Sequence, residues 1–576
     1  MTGTYTGAGV VDWLTTFFYR NAPWRLRGEQ TPARIVLMMA AFLFGFCALG
    51  GRLVMLGLIA PETYARHVGA AEQISQARPE ILDRNGIVLA RDISTPSMYG
   101  EPNNILDIDE TVERLTAAVP ELNAADLRSR LSSDRRFVWL KREMTPAQQA
   151  EIHRLGIPGI GFVEENRRFY PSGRTAAHVL GLVNIDNQGI AGMERYIDTQ
   201  GLAALHQAGF ARDARTLEPI RLSIDLRVQH ALRDELIQAM DHFKAKAAAA
   251  VILDANSGEV MAMVSLPDFD PNHLETASGE ETINRMTAGV YELGSAFKAF
   301  TVAMALDSGE VKLTDSFDAR QPLRIASFTI DDYHATRRIL TVPEIFVHSS
   351  NIGTAKMALK VGIDGHQEFL KRLGFFKAMH TELPETAEPL LPARWGELSS
   401  MTISFGHGMS VQPLQAAAAG AALINGGRLI EPTFLPRSAD DAEKEARQVI
   451  KPQTSDEMRD LMRLNVEDGT AGKADVPGIL VGGKTGTAEK VVNGRYSNSK
   501  LLTTFLAGFP MDKPRYAMLL MLDEPEPAEE THGYRTSGWN AVPTAGKIIA
   551  RVAPMLGVTP GPGLALVRSE PDSAAF

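Results

Sequence analysis

The 576-residue sequence predicts an α+β/α/β protein with a single N-terminal transmembrane helix and two folded regions outside the membrane. Three observations support this class: an apolar run at 35–60, a change of pattern near residue 221, and strand-like segments at both ends of the second region. A chain of this length exceeds what one hydrophobic core supports. The predicted division is a cytoplasmic leader (1–34), a membrane anchor (35–60), an N-terminal interaction domain (61–220), a larger domain (221–560) and a disordered tail (561–576).

The apolar run carries one charge, Arg52, and would extend about 39 Å as a helix, which is enough to cross a bilayer. Four arginines lie between positions 20 and 34, whereas only Arg66 closely follows the run. The positive-inside rule therefore places the N-terminus in the cytoplasm. Arg52 has two interpretations: it snorkels to the outer interface, or it contacts another membrane helix.

The composition argues against several classes of function. A net charge of −10, with no basic stripe, gives no basis for binding nucleic acid. The only cysteine, Cys47, excludes an intramolecular disulfide and a zinc cluster of thiolates. We predict neither a metal nor a cofactor.

Residues 61–220 contain no catalytic string. Asn85-Gly86 between apolar runs predicts a tight hairpin, and Asn123 is a suitable N-cap for the helix that follows it. The polar strings at 78–90, 167–171 and 189–194 are interpreted as structural.

The second region has the pattern of an α/β domain. Asp225 can cap an amphipathic helix, and strands at 248–254 and 258–265 flank turn residues. Near the end of the chain, TTFLAGFP and YAMLLMLDEP form another strand pair. Strands at both ends with helices between them predict one central antiparallel sheet flanked by helices.

Three short strings occur in order in this region: Ser295-Ala-Phe-Lys298, Ser349-Ser-Asn351 and Lys484-Thr-Gly-Thr487. A second Ser-x-x-Lys at Ser497 shows that one string alone is weak evidence. The later strings begin 54 and 189 residues after Ser295, and the ordered set is typical of enzymes that acylate a serine with a penicillin or an acyl-D-alanyl-D-alanine peptide.

The chemistry of the first string follows from helix geometry. Ser295 opens an apolar stretch that ends at Gly309 and predicts a buried helix. Lys298 shares a helix face with Ser295, so burial and a second cation, Lys484, could lower its pKa and make it the general base.

The third string has two interpretations. On a strand edge, Lys484 and the hydroxyls of Thr485 and Thr487 can bind a substrate carboxylate, while Gly486 admits the substrate backbone. The segment 478–485 also satisfies the phosphate-loop pattern. That loop requires a strand before the glycines and a helix after the threonine, whereas Ile-Leu-Val within it reads as strand and a hairpin follows. We predict no nucleotide site.

These strings, the anchor and the polar strings of the first region resemble those of class B penicillin-binding proteins, most closely the division-specific, septal D,D-transpeptidases of Gram-negative bacteria. The resemblance covers nearly the whole chain. It implies an elongated pedestal domain at 61–220, a penicillin-binding transpeptidase domain at 221–560, and a single-pass protein of the cell inner membrane with a periplasmic catalytic domain.

The resemblance also implies a role for each site residue. Ser295 would be the nucleophile, Lys298 its base, Ser349 a proton shuttle to the leaving group, and Asn351 the holder of the substrate amide. Backbone N–H groups of Ser295 and Thr487 would form the oxyanion hole. The terminal carboxylate would be bound by Lys484, Thr485 and Thr487.

The implied ligands are peptidoglycan stem peptides ending in D-Ala-D-Ala and β-lactam antibiotics, and the implied partners are a polytopic membrane glycosyltransferase and divisome proteins. Two alternatives stay open: an elongation-type transpeptidase and a membrane-bound β-lactam sensor, although a 34-residue leader is short for an output domain. The chain has Leu293 and Ala296 where the family often has Pro and Thr. Glu121 lies in a string similar to the deacylating loop of class A β-lactamases. That string precedes Ser295 instead of following Asn351, so we assign Glu121 no role in deacylation.

Overall fold

The computed structural model describes residues 31–58, 77–202, 204, 217–277, 279–325, 328–492 and 494–559. The described residues fall into two units, 31–58 and 77–559. The leader up to residue 30 and the predicted tail at 561–576 lie outside the described residues.

The N-terminal unit contains one described helix, Thr31–Leu58. Its large apolar side chains between Met38 and Leu49 are exposed. Within the part of the chain that the structure describes, no helix combines the length and apolar character needed to cross a membrane. The helical state agrees with the sequence, but the membrane crossing predicted for 35–60 is not confirmed.

A five-stranded antiparallel sheet forms the centre of the larger region, as predicted. Its strand pairs bring Lys484 opposite Leu506 and place the start of the region beside its end. The strands, in spatial order, are Gly482–Val492, Arg495–Phe509, Tyr516–Asp523, Ala247–Asp254 and Val260–Leu266. The strand with Lys484 therefore lies at one edge of the sheet.

Both faces of this sheet are covered by apolar side chains. Along Ala247–Asp254, Val251 joins the cluster on one face and its neighbour Ile252 joins the cluster on the other. This alternation follows the two-residue period of a strand. One face packs on Leu226–Phe243 and Ala541–Val552, and the other packs on Lys298–Ser308 and the helices around it.

The remaining elements of the larger region surround this centre. The other helices are Val342–Val347, Asn351–Val361, Ile363–Arg372, Glu397–Ser404, Pro413–Ala422, Ala439–Glu445 and Pro452–Glu467. The short strands are Ser316–Asp318, Leu323–Ile325, Phe328–Ile330, Ile339–Thr341, Arg428–Leu429 and Arg447–Gln448.

The first region has its own sheet and helices. The Asn85-Gly86 hairpin and the Asn123 cap are confirmed: Leu82 pairs with Val88, and the Asn123 side chain accepts hydrogen bonds from two backbone N–H groups. Its strands are Ile81–Leu82, Val88–Gly100, Val138–Lys141, Ile160–Phe169, Leu182–Val183, Gly189–Ala191 and Ile220–Arg221. Its helices are Ile108–Ala118, Ala124–Leu131, Pro146–Leu155, Ala177–Leu180 and Gly192–Ile197.

The three polar strings of the first region meet in a buried ion network. Glu194 bonds Arg78 and Arg168 at 2.7 Å each, and all three side chains have zero exposure. Arg168 also pairs with Asp92, and Arg78 with Asp198. Although burial opposes it, the two guanidinium charges keep the pKa of Glu194 lowered. The network supports the structural interpretation of these strings.

Candidate active site

Ser295 lies in a 3-10 turn, Gly294–Phe297, that leads into the buried helix Lys298–Ser308. The helix ends at Gly309 in a left-handed conformation, as the sequence predicts. Ser295 itself precedes the α-helix instead of occupying its first turn. Among the hydrogen bonds of the described residues, none involves the Ser295 hydroxyl.

Close backbone packing fixes this turn against the edge strand. A Cβ on Gly294 would lie 2.4 Å from the Thr487 carbonyl oxygen, and one on Gly406 would lie 2.0 Å from the Gly294 carbonyl oxygen. A Cβ on Gly486 would lie 2.2 Å from the Leu293 carbonyl oxygen. The sequence interpretation of Gly486, room for a substrate backbone, is therefore incomplete: this glycine lets the nucleophile turn rest on the strand.

Lys298, Ser349 and Lys484 form one buried hydrogen-bonded cluster. The Lys298 side-chain nitrogen Nζ lies 2.5 Å from the Ser349 carbonyl oxygen and 3.1 Å from Ser349 Oγ. Lys484 Nζ lies 3.0 Å from the same Oγ. One residue from each of the three sequence strings thus meets at a single hydroxyl.

Burial determines the charge of this cluster. It places the pKa of Lys298 well below its ordinary range, and the charge of Lys484 lowers it further, against an opposing effect of Asp332. Burial lowers the pKa of Lys484 to about 7. A neutral amine is a proton acceptor, so Lys298 is equipped to act as a base near neutral pH.

The second string forms a tight turn before the helix Asn351–Val361. Ser349 has a φ of 56°, a left-handed conformation that costs a non-glycine residue about 1 to 3 kcal/mol. The Asn351 amide nitrogen donates to the Asp331 carbonyl oxygen at 2.9 Å, which leaves its side-chain oxygen free of protein partners among the described hydrogen bonds. Such an oxygen can accept from a substrate N–H.

The third string places its two threonines differently. The Thr485 hydroxyl lies 2.7 Å from the Thr470 hydroxyl and is nearly buried. Thr487 Oγ1 accepts from the Ser537 N–H at 3.1 Å, so its own hydrogen remains to be donated. Binding of a substrate carboxylate by these two side chains remains a prediction. The Thr487 hydroxyl is more available to donate a hydrogen bond than the Thr485 hydroxyl.

Several residues of the site are not marked by any pattern in the sequence. Thr470 and Ser537 reach the third string, and Asp332 accepts a hydrogen bond from Ser350 in the second string. Burial lowers the pKa of His407, and the charge of Lys298 adds to that lowering. These residues come from separate loops and turns, and no regular spacing connects them with the three strings.

The structure excludes both alternative assignments, a Ser-x-x-Lys site at Ser497 and a phosphate loop at 478–485. Ser497 lies in the strand Arg495–Phe509, where Lys500 pairs with Glu524, so this second Ser-x-x-Lys has no helix face. Lys484 lies inside a strand that begins only at Gly482 and continues into a hairpin, which excludes the phosphate-loop geometry of strand, loop and helix.

Comparison with protein families gives two matches. The model described as Penicillin binding protein transpeptidase domain matches residues 248–549. The model described as Penicillin-binding Protein dimerisation domain matches residues 73–202.

Curated relatives match over most of the chain. The probable peptidoglycan D,D-transpeptidase FtsI of Caulobacter vibrioides is 40% identical over 95% of this chain and 92% of its own length. The probable peptidoglycan D,D-transpeptidase PenA of Neisseria meningitidis serogroup A is 33% identical over 85% of this chain and 86% of its own. The peptidoglycan D,D-transpeptidase FtsI of Escherichia coli K12 is 30% identical over 92% of both chains.

Proposed function

The chain belongs to the class B penicillin-binding protein family, and from that premise we propose that it cross-links peptidoglycan stem peptides during septal wall synthesis through an acyl-enzyme at Ser295. It is a serine-type peptidoglycan D,D-transpeptidase. The observation that carries the assignment of residues is the cluster of Lys298, Ser349 and Lys484 beside the Ser295 turn.

In the first step, Lys298 accepts the Ser295 hydroxyl proton while Oγ bonds to the carbonyl carbon of the penultimate D-alanine. The carbonyl electrons move onto oxygen and return as the C–N bond to the terminal D-alanine breaks. Ser349 passes a proton to the leaving amine and regains one from the lysine pair. D-Alanine departs, and an ester on Ser295 remains.

In the second step, an amine of a neighbouring stem peptide attacks the ester carbonyl. Lys298 accepts a proton from that amine, the ester C–O bond breaks, and Ser295 regains its proton. A β-lactam follows only the first step, because its opened ring stays attached in place of a departing D-alanine. Mechanism and inhibition thus use the same hydroxyl.

Substrate positioning is assigned to the remaining residues. The proposed oxyanion hole is the backbone N–H of Ser295 and of Thr487, and a single such donor is typically worth about 2.7 to 4 kcal/mol. The packing of Gly294 on the Thr487 backbone supports it. Asn351 holds the substrate amide, while the terminal carboxylate is bound by Lys484, Thr485 and Thr487.

A D-alanine exchange assay tests this function. The full-length protein in detergent is incubated with a peptide ending in D-alanyl-D-alanine and isotopically labelled D-alanine. A transpeptidase incorporates the label, whereas a β-lactam sensor acylates without exchange. Ser295→Ala is expected to abolish exchange, and Ser497→Ala is expected to leave it unchanged.

The proposal extends to the membrane anchor, the compartment of the folded domains and their partners. We propose that 35–60 anchors the enzyme in the inner membrane, with domains at 61–220 and 221–560 in the periplasm, and that a polytopic glycosyltransferase and divisome proteins are its partners. The exposed apolar side chains between Met38 and Leu49 and the FtsI relatives support this. Depletion should give filamentous cells and a tagged protein at mid-cell; rounded cells with lateral signal would instead indicate an elongation enzyme.

A further inference from the structure

Asp332 bonds the residues on both sides of Asn351. Its Oδ2 accepts a hydrogen bond from Ser350 Oγ at 2.8 Å, and its Oδ1 accepts one from the Ile352 N–H at 2.9 Å. A carboxylate at the first N–H groups of a helix is stabilised there, because those groups lack partners within the helix. The start of Asn351–Val361 is therefore fixed from outside by one side chain.

The same contacts restrain Ser349. Ser350 is 1% exposed, and its Oγ accepts from the Gly353 N–H at 3.0 Å while donating to Asp332. These bonds hold the residue that follows Ser349, whose backbone is in the left-handed conformation. Ser349 in turn accepts hydrogen bonds from both lysines of the site.

Asp332 is also the negative charge of this site. Among the ion pairs of the described residues, none includes Asp332, so no arginine or lysine neutralises it directly. The charged or titratable groups that interact electrostatically with Lys298 are Lys484 on the edge strand, Asp332 in its loop, and His407 in the loop after Glu397–Ser404. Only Asp332 among them is an acid.

We propose that Asp332 is a positioning residue of acyl transfer, whose two hydrogen bonds orient Ser349 and Asn351 and whose charge offsets the two buried lysines. This inference rests on the proposed function of the site. It makes two separable claims. Loss of the hydrogen bonds slows acylation at every pH, whereas loss of the charge changes the pH at which the base becomes protonated.

The sign of the second effect follows from electrostatics. The Asp332 charge raises the pKa of Lys298 against burial and Lys484. Removing that charge favours the neutral, active amine, so the acid limb of the rate profile moves to lower pH. Since no ion pair joins Asp332 to Lys298 among the described residues, the limb should move by less than the 1 to 3 units that an opposite charge within about 4 to 6 Å produces.

The experiment measures the acylation rate of the full-length protein by a fluorescent penicillin between about pH 5 and pH 9. Asp332→Asn should lower the plateau at least about tenfold and move the acid limb down. Asp332→Glu keeps the charge, so the acid limb of its rate profile should stay in place even if its plateau rate changes. Asp456→Asn is the matched control, because the Asp456 carboxylate is exposed, pairs with Arg459 and makes no contact with the described residues of the site; it should change neither quantity.

The outcomes are distinguishable. A plateau for Asp332→Asn within twofold of wild type overturns the positioning claim. If the plateau rate falls but the acid limb stays in place in both Asp332 variants, the charge claim is overturned and Asp332 has only a structural role. The shift should persist in a His407→Asn background, and its loss there would assign the limb to His407. Continued labelling of Ser295→Ala would instead refute the proposed function itself.

Discussion

Replacing Lys484 with methionine should stabilise the fold while abolishing acylation. Lys484 has zero exposure, and burial lowers its pKa from 10.5 to about 7. Methionine has a similar length, and its sulfur can pack on the Phe346 ring, whose centroid lies 5.6 Å from Lys484 Nζ. The substitution removes a buried amine without leaving a large cavity.

The magnitude follows from linkage between protonation and folding. At pH 7 the unfolded chain binds a proton at Lys484 that the native state only half retains. At about 1.36 kcal/mol per pKa unit, this costs the native state about 4 kcal/mol. The lost hydrogen bond to Ser349 offsets about 1 to 2 kcal/mol. A net gain of about 2 to 3 kcal/mol should remain, or roughly 2 to 3 °C for a unit of about 500 residues.

The pH dependence identifies the cause. The lysine penalty is full below pH 7, shrinks as pH rises from 7 to 10.5, and is absent above that range. The advantage of Lys484→Met in thermal unfolding should therefore shrink by up to about 1.4 kcal/mol per pH unit in this window. A destabilised variant, or an advantage that does not depend on pH, would refute the assignment of a buried lysine with a lowered pKa.

Three further outcomes are expected. Glu194→Gln should lower stability by about 3 to 5 kcal/mol in thermal melts, because it leaves Arg78 and Arg168 buried without their carboxylate; an unchanged melting temperature would contradict this. Gly486→Ala should reduce penicillin acylation at least about a hundredfold, because its Cβ would meet the Leu293 carbonyl oxygen at 2.2 Å, whereas Gly396→Ala, with open space, should acylate normally. Burial lowers the pKa of His366 to about 4, so native stability should fall between pH 6.5 and pH 4 as the unfolded chain takes up protons; His366→Asn should flatten that slope, and an equal slope in both proteins would refute it.

The sheet and the catalytic strings were predictable because their signals are local. The strands Ala247–Asp254 and Tyr516–Asp523 are short, apolar and bounded by turn residues, and Asp225 and Asn123 cap helices as their residue types suggest. The ordered strings identified Lys298, Ser349 and Lys484, whose side chains do meet.

The rest depends on contacts between distant loops. No pattern links Asp332 with Ser350, or Thr470 with Thr485, since each pair is joined only by the folded chain. The same limit applies to Gly486, whose role appears only when the Leu293 carbonyl is placed against it. Helix periodicity also puts Lys298 on the face of Ser295, whereas its hydrogen bonds are to Ser349.

The most direct test of the proposed chemistry is the site of penicillin attachment, read by mass spectrometry of peptides from the full-length protein. Acylation at Ser295 predicts one added penicilloyl mass on the peptide that contains Ser295, its loss in Ser295→Ala, and no change in Ser497→Ala. An adduct on any other serine, or one that persists in Ser295→Ala, would contradict the assignment of Ser295 as the nucleophile.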